Sequence, residues 1–364
     1  MSSAHDLPLA IQWHEGMLLA PQHFQQLVLR GDRLWQYHLG LGLPYHFGVS
    51  RLRYESTQLF SGMLRITELE AVLPDNLVVA FRSGSDGDLQ LDLRPHMETA
   101  KHSPVTVYLI VPAERAGASK GDGDLGRYLS VPGEEVDDET VSGRALRIPR
   151  LKPRLRLQAG LEPPSPRFTA LPLLAVTYKN GAFVPADYIP PLLRVEVDSA
   201  LGEQCAQVSS LIRAKATYLL EIISSPAITT KPAVIEDTRR LLAQLIINLP
   251  PFEALLAPGT VHPFPLYVAL TGLAGAVAAV GSQPMPPVFP AYDHLNLRRS
   301  FAHVIRFINQ SLAEGVSEAF TAIPFKNDGG QFSLNFEREW ARRVLILGFK
   351  GAPGASRSEE RRVG

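Results

Sequence analysis

Prolines fence this chain into windows. From Pro190 and Pro191 onward they stand at 226 and 232, at 250, 251 and 258, at 263 and 265, at 284, 286, 287 and 290, and at 324 and 353. A proline in a helix interior costs about 3 kcal/mol, because it removes an N–H and clashes with the preceding turn. Helices are therefore expected in the proline-free windows 192–225, 233–249, 266–283 and 291–323. Apolar residues recur at helical spacing inside them: Leu201, Cys205, Val208, Ile212, Leu219 and Ile222 in the first, Ile235, Leu241, Leu242, Leu245 and Ile246 in the second. The fourth repeats Leu297, Phe301, Val304, Ile305, Ile308 and Leu312 behind Asp293, the expected N-cap. Four helices with short Pro-rich connections predict an antiparallel bundle over 191–317. The most membrane-like stretch, 266–281, is short of the roughly 20 residues a bilayer span needs, so it reads as a buried helix with small residues for close packing.

Ahead of Pro190 the period changes. Alternating or β-rich runs at 49–54, 63–73, 77–81, 89–93, 105–111, 155–157 and 171–178 are separated at short intervals by Gly, Pro and Asp. The last run enters Asn180-Gly181, a two-residue hairpin signal. That spacing predicts a β-sandwich or barrel over 1–190. One helix interrupts it near Pro21, with Phe24, Leu27, Val28, Trp35 and His38 forming a stripe expected to pack on the sandwich. A polar, Gly-rich stretch, 113–126, reads as a surface loop. From 319, two short strands around Asn327-Asp328-Gly329-Gly330, at 320–325 and 331–336, and an apolar run at 344–349 begin something too small for a core of its own. The whole reads as a multidomain α+β protein.

Several function classes drop out. The 36 Lys+Arg and 36 Asp+Glu cancel, so the basic excess of a dedicated nucleic-acid binder is missing. With one cysteine, Cys205, neither a disulfide framework nor a multi-cysteine metal site can form within the chain, and Cys205 itself reads as a buried structural thiol. No basic region followed by an apolar run opens the chain, so the expected location is cytoplasmic. His14-Glu15 resembles a zinc-protease pair, but Leu18 occupies the place of the second histidine. Gly117, Ser119 and Gly121 satisfy a nucleophile-elbow spacing, and Gly121, Gly123 and Gly126 a dinucleotide spacing. Neither match has the strand and helix its chemistry requires. No catalytic, metal or cofactor-binding residues are expected. The alternative kept open is a hydrolytic or carbohydrate-active enzyme with a pocket in the β-domain, for which two carboxylates, or a nucleophile and base, would have to converge.

What remains distinctive is the string Gln12, Trp13, His14, Glu15, Gly16, Met17, Leu18, Leu19, Ala20, Pro21, Gln22, His23, Phe24 and Gln25. It joins an extended entry segment to the helix, with Gly16 permitting a tight bend and Trp13 and Phe24 as apolar anchors. The string resembles the opening of the TssK family (also ImpJ or VasE), baseplate subunits of the bacterial type VI secretion system. The likeness continues at Leu43-Pro44-Tyr45-His46-Phe47-Gly48, where the family more often has Trp in place of Phe47. It recurs at Leu171-Pro172-Leu173, Asn180-Gly181-Ala182-Phe183, Tyr188-Ile189-Pro190-Pro191-Leu192-Leu193, Val261-His262-Pro263, Leu266-Tyr267, Leu273-Ala274-Gly275 and Tyr292-Asp293-His294.

The resemblance implies a non-enzymatic, trimeric adaptor that links baseplate wedge proteins to the cytoplasmic side of a membrane complex. It implies a β-sandwich shoulder with an N-terminal helix at 1–190, a four-helix neck at 191–317, and the start of an incomplete C-terminal α/β head at 318–355. The shoulder is expected to engage TssF and TssG, and the head TssL and TssM. No nucleic acid partner and no direct membrane insertion are implied, and the location is cytoplasmic at the inner-membrane secretion complex. Candidate structural or interface residues are Trp13, His14, Glu15, Gly16, Met17, Pro21, Gln22, His23 and Phe24. Family likeness stops near 349–354, and 356–364 lacks any apolar period and looks like translated adapter read-through. The expectation is that this chain binds the wedge and not the membrane complex.

Overall fold

A computed structural model describes residues 4–114, 126–141, 143–224, 232–279, 281, 285–317, 326–328 and 331–334. Two compact units divide the chain, Met1–Gly315 and Val316–Gly364. The first opens with α1 (Pro21–Gly42), β1 (Gly48–Tyr54), α2 (Ser56–Phe60), β2 (Met63–Val72), β3 (Val78–Arg82), β4 (Leu89–Asp92), α3 (Met97–His102) and β5 (Val105–Pro112). It continues with β6 (Tyr128–Val131), β7 (Glu135–Asp137), β8 (Ala145–Arg147), β9 (Arg150–Pro153), β10 (Arg156–Gly160), β11 (Phe168–Lys179) and β12 (Ala182–Pro185). Helices follow: α4 (Ala200–Ser224), α5 (Pro232–Ile246), α6 (Leu249–Leu256), α7 (Pro263–Ala278) and α8 (Leu297–Ser317).

Two antiparallel sheets carry the first half. One has the order β1-β2-β3, with β4 also paired to β2, and the other runs β10-β5-β11-β12. Leu64, Ile66 and Leu69 of the first sheet and Val107, Leu109, Leu171 and Leu173 of the second belong to one buried cluster. Strand β11 is buried continuously from Leu171 to Val176, although it contains Pro172, which has no N–H for the ladder. The register shifts between Pro172 and Leu174, and such a bulge is where a central strand tolerates a proline. Asn180 and Gly181 have φ of 52° and 82° and close the β11–β12 hairpin, as the sequence predicts.

The helices form a second cluster around Leu201, Cys205, Phe252, Leu270, Phe301 and Ile308. Here the proline fences need correction. Helices α5 and α7 begin on their prolines, and α6 runs through Pro250 and Pro251. First-turn N–H groups have no intrahelical acceptor, so proline costs nothing there, and it starts these helices instead of separating them. Helix α6 was therefore invisible in the windows. Asp293 does not cap α8 either. Its carboxylate accepts from Leu295 N–H in a turn, and the helix starts at Leu297 with Asn296 Oδ1 accepting from Arg299 N–H at 3.1 Å. Helix α4 starts eight residues into its window, where Ser199 Oγ accepts from Gly202 N–H.

Sequence runs gave no warning of β6–β9, a pair of two-stranded ladders between β5 and β10. The two glycine motifs of the 113–126 stretch lie outside the described residues apart from Gly126. In the second unit, β13 (Lys326–Asp328) and β14 (Gln331–Ser333) form an antiparallel hairpin. Asn327 and Asp328, expected in its turn, are in β13. The expected strand at 320–325, the run at 344–349 and the tail at 356–364 lie outside the described residues.

Candidate assembly interface

Helix α1 departs furthest from its expected setting. Its stripe was expected to pack on the sheets, yet none of its residues is buried. Phe24, Leu27, Val28 and Trp35 are 54%, 50%, 61% and 78% exposed. Covering such a stripe would contribute about 1.5–3 kcal/mol for each side chain fully buried. The apolar spacing was legible. Which surface it meets was not, because periodicity reports a face and not the partner.

The segment leading into α1 is built as the sequence suggests in part. Gly16 has φ of 78° in a turn closed by Met17 N–H to His14 carbonyl, and His14 Nδ1 lies 3.0 Å from the Glu15 carbonyl. His23 caps the helix, its Nδ1 accepting from Ala20 N–H at 3.0 Å, behind Pro21 at the first helical position. Trp13 stacks at a tilt on His23, with ring centroids 5.9 Å apart. Trp13 and Phe24 are not buried anchors, however: both remain about half exposed, and Glu15, Pro21 and Gln22 face solvent. Arg30 donates to the Pro8 carbonyl, tying the segment back along α1.

Polar contacts hold α1 to the sheets. Gln36 Nε2 donates to the Asp75 carbonyl at 3.3 Å, and Arg33 Nη2 to Glu114 at 2.7 Å. Asp75 is itself a hub, accepting from Arg127 Nη2 at 2.6 Å, Thr169 Oγ1 at 2.7 Å and Leu77 N–H at 3.3 Å. Arg127 is buried, and its other amino group donates to the Pro112 carbonyl at 2.6 Å. A cleft of about 400 Å³ lies between α1 and this hub, with Trp35 and Leu39 on one wall and Asn76 and Tyr128 on the other. It is the candidate for an enzyme pocket in the β-domain. Of its three carboxylates, Asp32, Asp75 and Glu114, the last two are each paired with an arginine, which suits holding α1 in place. Among the described residues no group of three or more His, Cys, Asp or Glu could hold a metal ion. Cys205 is fully buried, and burial pushes its thiol up to about 12, away from nucleophilic use.

Below α1 the scattered motifs of the sequence converge. Gly48, at φ of 144°, lets the chain 188–193 approach so closely that a Cβ would sit 2.8 Å from the Pro191 carbonyl oxygen. Val49 N–H donates to that carbonyl and Leu193 N–H returns to Val49. From the helical side, His262 Nε2 reaches the Tyr45 carbonyl at 2.9 Å and His294 Nε2 the Phe47 carbonyl at 2.7 Å. Phe264 N–H occupies His262 Nδ1 and the Tyr292 hydroxyl occupies His294 Nδ1. Both rings are thus neutral with the proton on Nε2. They stack 5.3 Å apart at 18°, with Tyr45 against Phe264, Tyr292 and His294. The joint fixes the helices to the sheets, a role that sequence could not assign to these histidines because their acceptors are main-chain carbonyls more than 200 residues away.

Burial pushes His294 down to about 4, and His262 also below its ordinary range. The unfolded chain takes up these protons near pH 6.5, so the joint's contribution is whole above that pH and is lost as pH falls toward 4. We expect the loss from His294 to be on the order of 3 kcal/mol. Urea unfolding at pH 7 and pH 4.5 checks it: wild type should lose more stability than His294→Gln over that interval. Equal losses would show that the joint does not titrate.

Comparison with known proteins returns one consistent picture. The family described as bacterial type VI secretion, with EvfL, ImpJ and VasE, matches residues 23–344. TssK1 of Pseudomonas aeruginosa, a type VI secretion system baseplate component, is 26% identical over 328 residues, covering 86% of this chain and 71% of that protein. A crystal structure of TssK matches with a TM-score of 0.73 at 22% identity, over 84% of this chain and 69% of the other. The TssK-TssF-TssG baseplate subcomplex solved by cryo-electron microscopy contains a chain matching at 0.69 and 22% identity, over 84% and 98%. At such identities these structures establish the fold. Among the described residues no helix is long and apolar enough to cross a membrane.

Proposed function

Because this chain belongs to the bacterial type VI secretion family of EvfL, ImpJ and VasE, we propose that it is a structural subunit of the secretion baseplate, a homotrimeric adaptor and not an enzyme. TssK1 of Pseudomonas aeruginosa, to which the chain is similar, is a baseplate component, and this supports the role. On this reading residues 1–190 are the shoulder, 191–317 the neck, and 318–355 belong to the head. The shoulder meets TssF and TssG, the proteins assembled with TssK in a solved structure of the same fold. TssL and TssM are the partners of the head, on the cytoplasmic side of the membrane complex.

One observation carries the trimer: α1 is 22 residues long, has no buried residue, and presents Phe24, Leu27, Val28 and Trp35 outward. Exposed apolar surface of that kind marks an interface. Exposed apolar residues also occur on the helices: Leu211 and Leu220 flank the buried face of α4, and Val268 of α7 is exposed. Neck helices would bury one face within the subunit and another between subunits. Light scattering on the purified chain tests the reading. We expect a particle of about 120 kDa, three copies of 39.9 kDa, and a monomer would overturn it.

A further inference from the structure

Between β5 and β10 the chain leaves the sheets as a ribbon that none of the described residues covers. Every described residue from 134 to 151 is exposed. A two-stranded ribbon is marginal in water by itself, yet this one is well made. Asp138 Oδ1 accepts from Thr140 N–H, Thr140 Oγ1 and Val141 N–H at its tip, and Lys152 is paired with Asp86 at 2.8 Å at its base. Val136 stands directly opposite Leu146, and both are exposed, so one face is apolar without a cover. Glu135 and Arg147 pair at 3.3 Å on the other face.

Charge is sorted by strand. The outgoing limb carries Glu134, Glu135, Asp137, Asp138 and Glu139, and no base occurs from 128 to 143. The returning limb carries Arg144, Arg147 and Arg150, and no acid occurs from 140 to 161. Among the described residues strand β7 pairs only with β8, so each has an outer edge of unpaired N–H and C=O groups, one edge acidic and the other basic.

We infer that the ribbon is an arm that docks on a second copy of this chain, the acidic edge of β7 lying against the basic edge of β8 in its neighbour. The two edges are complementary to each other, and neither is complementary to itself. A two-fold pairing of β7 with β7 would set carboxylates against carboxylates, and β8 with β8 arginines against arginines. A head-to-tail contact pairs opposite charges along these edges, and in a closed trimer such contacts form a ring. Val136 and Leu146 then face inward, where neighbouring arms cover them. The inference rests on the trimer reading and adds which segment clasps which.

Cross-linking tests it with surface substitutions that leave the fold alone. Asp137→Cys and Ala145→Cys are placed on differently tagged chains, co-expressed, and treated with a short bismaleimide whose reach tolerates a slip in register. Native Cys205 is buried and does not compete. The expected result is a covalent pair joining the two tags in the mixture, at least tenfold above either variant alone. A trimer by mass with no such pair overturns the arm's docking and leaves the trimer reading standing. Efficient linking within Asp137→Cys alone also overturns it, because like edges would then be adjacent. A monomer by mass overturns both.

Discussion

Replacing Leu27 and Val28 together by glutamate is expected to convert the trimer to a monomer without unfolding the chain. Both side chains stand on the outward stripe of α1 and touch no core, and glutamate is as good a helix former as leucine. Surface changes of this kind alter stability by roughly 0.5 kcal/mol or less. In the proposed trimer the same positions would be covered, and two carboxylates buried against apolar side chains would cost several kcal/mol per subunit. Light scattering should show a threefold loss of mass, with far-UV circular dichroism and the thermal midpoint nearly unchanged. An intact trimer would mean that α1 faces no copy of itself.

The second large effect lies beneath α1. Asp75→Ala is expected to destabilise the chain by about 3–5 kcal/mol, the usual cost of removing one partner from a buried ion pair. Arg127 is buried and would be left with a charge opposed by no carboxylate there, while Thr169 loses its acceptor. Gln36 bonds to the main-chain carbonyl of residue 75, so its tether survives the substitution. Adding Arg127→Met should restore most of the loss, because the uncompensated charge is what destabilises. Urea unfolding of the two variants measures this. If the double variant is no more stable than Asp75→Ala, the pair is not the source of the cost.

Periodicity and turn chemistry made much of the fold readable. The β11–β12 hairpin was explicit in Asn180-Gly181, and the buried faces of α4 and α8 in their repeats at Leu201 to Leu219 and Leu297 to Leu312. Two rules misled. Proline stops a helix interior but starts a helix, which hid α6 and shifted the starts of α5 and α7. Amphipathic spacing predicts packing within the chain, and α1 instead leaves its stripe exposed. The ribbon was unreadable for a different reason. Its strands β7 and β8 are three residues each, too short for alternation to stand out, and only the sorting of acids from bases marked it. The joint was visible as residues and not as an arrangement, since His262 and His294 act on the carbonyls of Tyr45 and Phe47.

Co-purification gives the most direct test of the baseplate assignment. The full chain is tagged and co-expressed with TssF and TssG, and the retained material is weighed by light scattering. The account predicts a stable complex in which this chain is present in multiples of three and both wedge proteins are retained. A chain that is recovered alone as a monomer, while TssF and TssG pass through, would contradict it.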